Sequence, residues 1–143
     1  WLAIPMLTAH NLAQALERQQ TGAAHDPLSI AAQWARANLP RDAVIGAWNA
    51  GTIGYLSERR TVNLDGLVNS WTYFETERHD LCRYWQQNGV TVLLDAFEDG
   101  RALSVGPTYP AYARCANQLE LIWSANPYNT AWRIEAYRIR PAP

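Results

Sequence analysis

Three polar side chains of this 143-residue chain stand where predicted strands end, which is the edge at which open α/β sheets bind their ligands. Asn49 follows the apolar run 43–48, and Asp65 and Asp95 close the predicted strands 60–65 and 90–95. Two carboxylates at such an edge could act as acid and base on a glycoside. With Tyr55 and Asn69 they could also line a polar rim suited to a sugar. The alternative is ordinary turn chemistry, in which Asp and Asn cap helices.

The segment from Gly46 to Gly54 has the skeleton of a dinucleotide-binding fingerprint, because it leaves a strand, enters a helix and ends in G-x-x-G. Two departures weaken this interpretation. Asn49 occupies the place of the first glycine, and Asp65 follows Gly51 by 14 residues, where about 20 are expected. The alternative is that Gly51 and Gly54 allow a short helix to lie close to the sheet.

Nucleophilic catalysis requires a serine or cysteine, a histidine and an acid that converge in space. Of the histidines, His10 and His25 lie in the N-terminal region, and His79 lies on a charged helix face. None of Ser57, Ser70 and Ser104 stands in the G-x-S-x-G context of a nucleophilic serine. The sequence therefore does not predict a hydrolase.

Cys82 and Cys115 are too few for a disulfide framework, and their spacing matches no zinc pattern. His79 would add a third ligand, but a structural zinc site needs a fourth, so we expect no metal. In an oxidising compartment the two cysteines could form a disulfide; in the cytosol they would be two buried thiols.

The elements that must position these residues alternate between helix and strand. Asp26 as N-cap, Pro27 at the first helical position and Pro40 as terminator delimit one helix. The further predicted elements are a central strand at 43–48, a short helix at 49–56, a strand at 60–65, a long helix at 71–88 ended by Gly89, and a strand at 90–95. Trp71, Phe74, Leu81 and Trp85 are predicted to face inward along the long helix. This order predicts a small three-layer, Rossmann-like α/β fold with parallel strands.

The C-terminal part changes character. A long surface excursion is predicted from Phe97 to Ala116, followed by two antiparallel strands at 119–124 and 132–139. In the last strand Trp132, Ile134 and Ala136 share one face while Tyr137 and Ile139 fall on the other, which indicates a bulge or an edge strand. We expect this hairpin to be added at one side of the parallel sheet.

Composition restricts the class of protein. Apolar residues make up 48% of the chain, enough for one buried core, and 12 basic residues against 13 acidic ones give a net charge of −1. Such a balance gives no electrostatic support for nucleic-acid binding. Residues 1–24 contain an apolar stretch followed by an amphipathic pattern, interpreted as a juxtamembrane or linking helix. The alternative is a first helix packed on the core, and residues 25–143 are interpreted as an α/β domain.

The run 31–69 contains three motifs in order: Asn38-Leu39-Pro40 at a helix end, Asn49-Ala-Gly-Thr-Ile-Gly-Tyr55 after a strand, and Asn63-Leu-Asp-Gly-Leu-Val-Asn69 after the next strand. This run resembles the C-terminal domain of bacterial GT-C class membrane glycosyltransferases, of the protein O-mannosyltransferase and arabinosyltransferase type. In that group Asp is frequent at the positions of Asn49 and Asn63.

The resemblance implies a parent enzyme that transfers a sugar from a polyprenyl-phosphate donor outside the cytoplasmic membrane. The catalytic acid of such enzymes lies in the membrane part, so this domain is expected to be non-catalytic and to bind no cofactor. Its expected partners are that membrane part and a glycan or lipid-linked sugar. Cys82 and Cys115 would then face an oxidising space. A carbohydrate-binding module and a nucleotide-binding protein are the alternatives.

Overall fold

The structure is a computed structural model that describes residues 26–65, 70–75, 80–98, 115–127 and 132–141. The elements in chain order are helix α1 (Pro27–Asn38), strand β1 (Val44–Ala47), helix α2 (Ala50–Ser57), strand β2 (Arg60–Asn63), helix α3 (Trp71–Glu75), helix α4 (Leu81–Asn88), strand β3 (Val92–Glu98), a 3₁₀ turn (Ala116–Gln118), strand β4 (Leu119–Ala125) and strand β5 (Trp132–Ile139). The chain is therefore a mixed α/β protein, as predicted.

The strands form one open sheet of five in the order β2-β1-β3-β5-β4. Strand β1 runs parallel to β2 and to β3, while β5 runs antiparallel to both β3 and β4. The predicted antiparallel addition is thus confirmed. The central strand is β3, however, because β5 inserts between β3 and β4; the prediction that 43–48 would be central was wrong.

Hydrophobic clusters lie on both faces of the sheet, as the alternation of neighbouring residues shows. Ile45 and Leu94 belong to a cluster that includes α1 residues Ala31 and Ala35. Val44 and Leu93, one position away, belong to the other cluster, with Leu81 and Trp85 of α4 and with Tyr73. A strand covered on both faces must be apolar throughout, which explains why all four residues of β1 are buried.

Local signals set the ends of several elements. The Asp26 side chain accepts a hydrogen bond from Ser29 N, and Pro27 occupies the first turn of α1, a cap worth about 1 kcal/mol. Gly89 ends α4 in the left-handed conformation, with φ 65°, as the sequence predicted. At the end of β2, Asn63 Oδ1 accepts from Asp65 N at 2.7 Å. This turn ends β2 two residues before the predicted position.

The long helix predicted at 71–88 is interrupted, and its described residues form the separate helices α3 and α4. Asp80 has a non-helical backbone, with φ −138° and ψ 73°, and caps α4 by accepting from Arg83 N. Trp71, predicted to face inward, is 75% exposed. Leu81 and Trp85 are buried as expected. The helical spacing of the apolar residues was correct within α4, at Leu81 and Trp85, but did not extend to Trp71.

The irregularity predicted in the last strand lies in its partner. The register between β4 and β5 shifts between Leu121 and Trp123, so β4 carries the bulge and also forms an edge of the sheet. Strand β5 is interior. Ile134 and Ala136 belong to one cluster, and Tyr137 and Ile139 pack against the other. Both faces of β5 are covered, which explains its mixed pattern.

Cys82 in α4 and Cys115 beside the 3₁₀ turn form a disulfide, with their Cα atoms 5.9 Å apart. Most of the predicted excursion at 97–116 and all of the predicted helix in 1–24 lie outside the described residues. Among the helices that the structure describes, none has the length and apolarity needed to cross a bilayer.

Candidate functional site

Asp95 lies within β3, which continues to Glu98, so the prediction that it closes its strand was wrong. The Asp95 carboxylate accepts four hydrogen bonds beside the carboxyl end of β1. Its Oδ2 accepts from Trp48 N at 2.6 Å and from Asn49 N at 3.0 Å. Its Oδ1 accepts from Asn49 Nδ2 at 2.9 Å and from Ala96 N at 2.8 Å. The two predicted site residues Asn49 and Asp95 are therefore brought into direct contact.

This contact arises from the turn between β1 and α2. Asn49 precedes α2 but forms no side-chain cap on it, because its amide reaches across to β3 instead. The backbone amides of Trp48 and Asn49 also point at Asp95. In a dinucleotide-binding protein the corresponding turn directs such amides at a phosphate. Here the protein's own carboxylate satisfies them.

Asp95 is 1% exposed. Burial raises the pKa of its carboxyl above the ordinary value of 3.8, and this effect outweighs the hydrogen bonds from Asn49, Ala96 and Trp48, which lower the pKa. A carboxyl with a raised pKa is the kind that serves as a general acid. Because Asp95 is enclosed and accepts from four donors of its own chain, its position suits holding the turn rather than meeting a substrate.

A second buried acid lies next to Asp95, on the adjacent strand β5. Glu135 of β5 is the register partner of Asp95 and is 8% exposed. The Tyr137 hydroxyl donates to Glu135 Oε2 at 2.6 Å. Burial raises the pKa of Tyr137, and its hydrogen bond with Glu135 and the charge of that acid raise it further. The sheet therefore carries two acids and a phenol on one face.

Sequence reasoning missed Glu135 and Tyr137. A partial signal was present: by alternation along β5 they share a face with Ile139, so Glu135 lies two residues from a run of Tyr137 and Ile139 that packs against a hydrophobic cluster. Because β5 was interpreted as a possible edge strand, that face was not expected to be buried.

The glycines of the predicted fingerprint differ in what surrounds them. A Cβ at Gly46 would lie 2.9 Å from Leu93 Cδ2, and one at Gly54 would lie 3.2 Å from Thr61 Cβ. Gly54 therefore brings α2 close to β2, as predicted. Gly51 has nothing within 4 Å of such a Cβ, so the prediction that it is needed for close packing was wrong.

The other predicted site residues do not join the Asn49–Asp95 contact. Tyr55 is 84% exposed and lines a shallow depression of about 540 Å³ between α1 and α2, with Asp26, Ser29 and Thr52 among its neighbours. Asp65 is exposed at the end of β2. Asn69 lies outside the described residues.

In the part of the chain that the structure describes, no three His, Cys, Asp or Glu side chains lie close enough together to bind a metal ion. Cys82 and Cys115, considered with His79 as ligands, are joined to each other. His79 itself lies outside the described residues.

No curated protein and no solved structure matches the chain significantly. A family model does match, over residues 10–138, which is most of the chain. The protein therefore belongs to the family described as domain of unknown function DUF8728.

Proposed function

We propose that this protein is a non-catalytic extracytoplasmic domain of a membrane glycosyltransferase that uses polyprenyl-phosphate sugars, and that it helps to position the acceptor or the donor. The motifs at 38–40, 49–55 and 63–69 suggested this class. The fold assigned with it is a small three-layer, Rossmann-like sheet carrying an antiparallel C-terminal pair.

The observation that carries the proposal is the state of Asp95. It was one of the two candidate acids predicted at the sheet edge, yet it is buried and accepts hydrogen bonds from the turn that a ligand would have to approach. A carboxylate used in this way supports a structural role. The Cys82–Cys115 disulfide supports the compartment, since disulfides persist mainly outside the cytosol.

The proposal that the domain is non-catalytic is tested with the purified protein and a polyprenyl-phosphate sugar. We expect no release of sugar above that of a heat-denatured control. Turnover that is abolished in Asp65→Ala or Asp95→Ala would refute the assignment of a non-catalytic domain.

The compartment is tested by trapping thiols in the native cells with an acid quench and then labelling the denatured protein with a maleimide–polyethylene glycol. We expect the peptides that contain Cys82 and Cys115, the two cysteines of this sequence, to carry no label without reductant and one label each after reduction. Two labels without reductant would place the domain in a reducing compartment and contradict the proposal.

A carbohydrate-binding module is the second candidate, and the exposure of Tyr55 favours it. An aromatic ring that is 84% exposed beside a polar-edged depression offers a surface on which a sugar ring could stack. The test is calorimetric titration with oligosaccharides, comparing Tyr55→Ala with Trp71→Ala, which removes another exposed aromatic ring. Binding that Tyr55→Ala abolishes and Trp71→Ala retains would support this candidate; a flat response at millimolar sugar would exclude it.

A nucleotide-binding protein is the third candidate. It is the least supported, because a pyrophosphate at the β1–α2 turn would have to displace Asp95 from the amides of Trp48 and Asn49. A thermal-shift screen with NAD, ATP and S-adenosylmethionine tests it, and we expect no stabilisation.

A further inference from the structure

A second concave surface lies at the opposite end of β1 and β3 from Asn49 and Asp95. It is a groove of about 430 Å³ between the C-terminal end of α1 and strands β3, β4 and β5. Its apolar lining includes Trp34, Leu39, Val92, Ile122 and Ile139. A volume of this size falls within the range of small-molecule sites, about 300–1,000 Å³.

The wall formed by Trp34 is held in place. Its ring stacks on Trp123, with centroids 4.6 Å apart and planes inclined by 9°. The α1 backbone beneath it is anchored as well, since Trp34 O accepts from Asn38 Nδ2 at 2.9 Å. The groove therefore has a preformed aromatic side, which lowers the ordering cost of binding.

One charged side chain, Arg138, stands among the described residues that line this groove. Its Nη1 lies 3.7 Å from Glu120 Oε2, and Arg140 Nε lies at the same distance from the same oxygen. Both arginine side chains are 59% exposed. One carboxylate thus faces two guanidinium groups at a distance too long for a direct hydrogen bond, which leaves positive charge at the mouth of the groove.

We infer that this groove binds a small amphipathic anion, with its apolar body against Trp34 and Ile122 and its anionic group at Arg138. The apolar lining supplies the contact area, and the incompletely neutralised guanidinium supplies the charge complementarity. This site is separate from the Asn49–Asp95 contact and does not depend on the proposed glycosyltransferase role.

The experiment compares two fluorescent probes that share one apolar body. The anion is 1-anilinonaphthalene-8-sulfonate and its neutral analogue is N-phenyl-1-naphthylamine. Saturable binding of the anion by the folded, disulfide-bonded protein is expected, with amide shifts in ¹H–¹⁵N spectra confined to residues around Trp34, Val92 and Ile139. The neutral probe should bind several-fold more weakly. Shifts centred on another surface would overturn the inference.

Two arginines provide a matched pair of variants. Arg138→Gln should weaken the anion about fivefold, as expected for loss of one partly exposed charge contact, while leaving the neutral probe unchanged. Arg140→Gln removes a guanidinium of equal exposure that faces the same carboxylate but does not line the groove, and it should have little effect. Equal losses in the two variants would mean a general electrostatic attraction and would refute the assigned site.

A third variant is expected to increase the affinity for the anion. Glu120→Gln removes the carboxylate that competes for Arg138 and should tighten binding of the anion, but not of the neutral probe. If Glu120→Gln weakens the anion, the assignment fails. The groove could instead be occupied by a second copy of the chain, and the same spectra recorded without probe at rising protein concentration test this. Amide shifts at the groove that depend on protein concentration would identify it as an interface between copies and overturn the ligand site.

Discussion

Replacing Asp95 with asparagine is predicted to destabilise the protein strongly, although the two side chains have nearly the same shape. All four groups that contact the Asp95 carboxylate are N–H donors. Asparagine keeps one acceptor oxygen and turns an amide NH₂ toward two of those donors. These donors are only partly buried, so each one that loses its acceptor costs at most about 1–3 kcal/mol, the range for a fully buried group.

Loss of the buried charge offsets part of this cost, because burial disfavours the ionised carboxylate. The expected net effect of Asp95→Asn is about 2–4 kcal/mol in the free energy of unfolding. Asn49→Ala, which removes one of the four bonds, should cost about 1 kcal/mol. The double variant should cost less than the sum of the two, since Asn49 and Asp95 share that bond.

The measurement is equilibrium unfolding in urea at pH 7, followed by tryptophan fluorescence with the disulfide intact. Asp42→Asn is the matched control, because Asp42 is exposed, and it should change stability by less than about 0.5 kcal/mol. If Asp95→Asn is as mild as this control, Asp95 is not a fixed acceptor. The Asp95 carboxylate would then be available for chemistry, contrary to the structural role proposed for it.

Three further outcomes are expected. Gly46→Ala should lower the free energy of unfolding by about 1–3 kcal/mol through overpacking, because the added methyl group would lie 2.9 Å from a leucine side chain. Gly51→Ala is the control: its methyl group would meet nothing within 4 Å, so it should be neutral or stabilising in the same urea assay. Arg59→Ala should lower the melting temperature, since the guanidinium donates to five backbone carbonyls around the C-terminal ends of α1 and α2; a melting temperature equal to that of the native protein would contradict this role. The stability of Tyr137→Phe should be less sensitive to alkali than that of the native protein. The raised pKa keeps the Tyr137 phenol protonated in the folded state, while the same phenol in the unfolded state ionises near its usual pKa of about 10. Above that pH the native protein should therefore lose stability relative to the variant, by less than about 1.4 kcal/mol per pH unit because the side chain is only partly buried.

The sequence predicted well those features that depend on neighbouring residues. Asp26 and Pro27 begin α1, and Gly89 ends α4, because caps involve groups only a few residues apart. The same local chemistry explains one error. Asp80 lies inside the helix predicted at 71–88, yet its side chain caps the helix α4 that follows it. A short polar side chain that can bond its own backbone competes with helix propagation, and spacing of apolar residues alone does not reveal which outcome prevails.

Features that depend on distant pairing were harder to predict. The insertion of β5 beside β3 buried Glu135 and made β3 central, and neither follows from the order of elements. The Asn49–Asp95 contact joins residues 46 positions apart. Their shared edge was foreseen from the rule for parallel strands, but whether that edge would be open to a ligand or satisfied internally depended on the turn geometry.

The interior position of β5 also has a consequence for synthesis on the ribosome. Strand β3 keeps an open edge, and β4 has no place in the sheet, until the chain has been made as far as Ile139. Chains stalled earlier would expose unpaired strand edges, which are prone to aggregate. The chain therefore has to emerge as far as the end of β5 before its sheet can close.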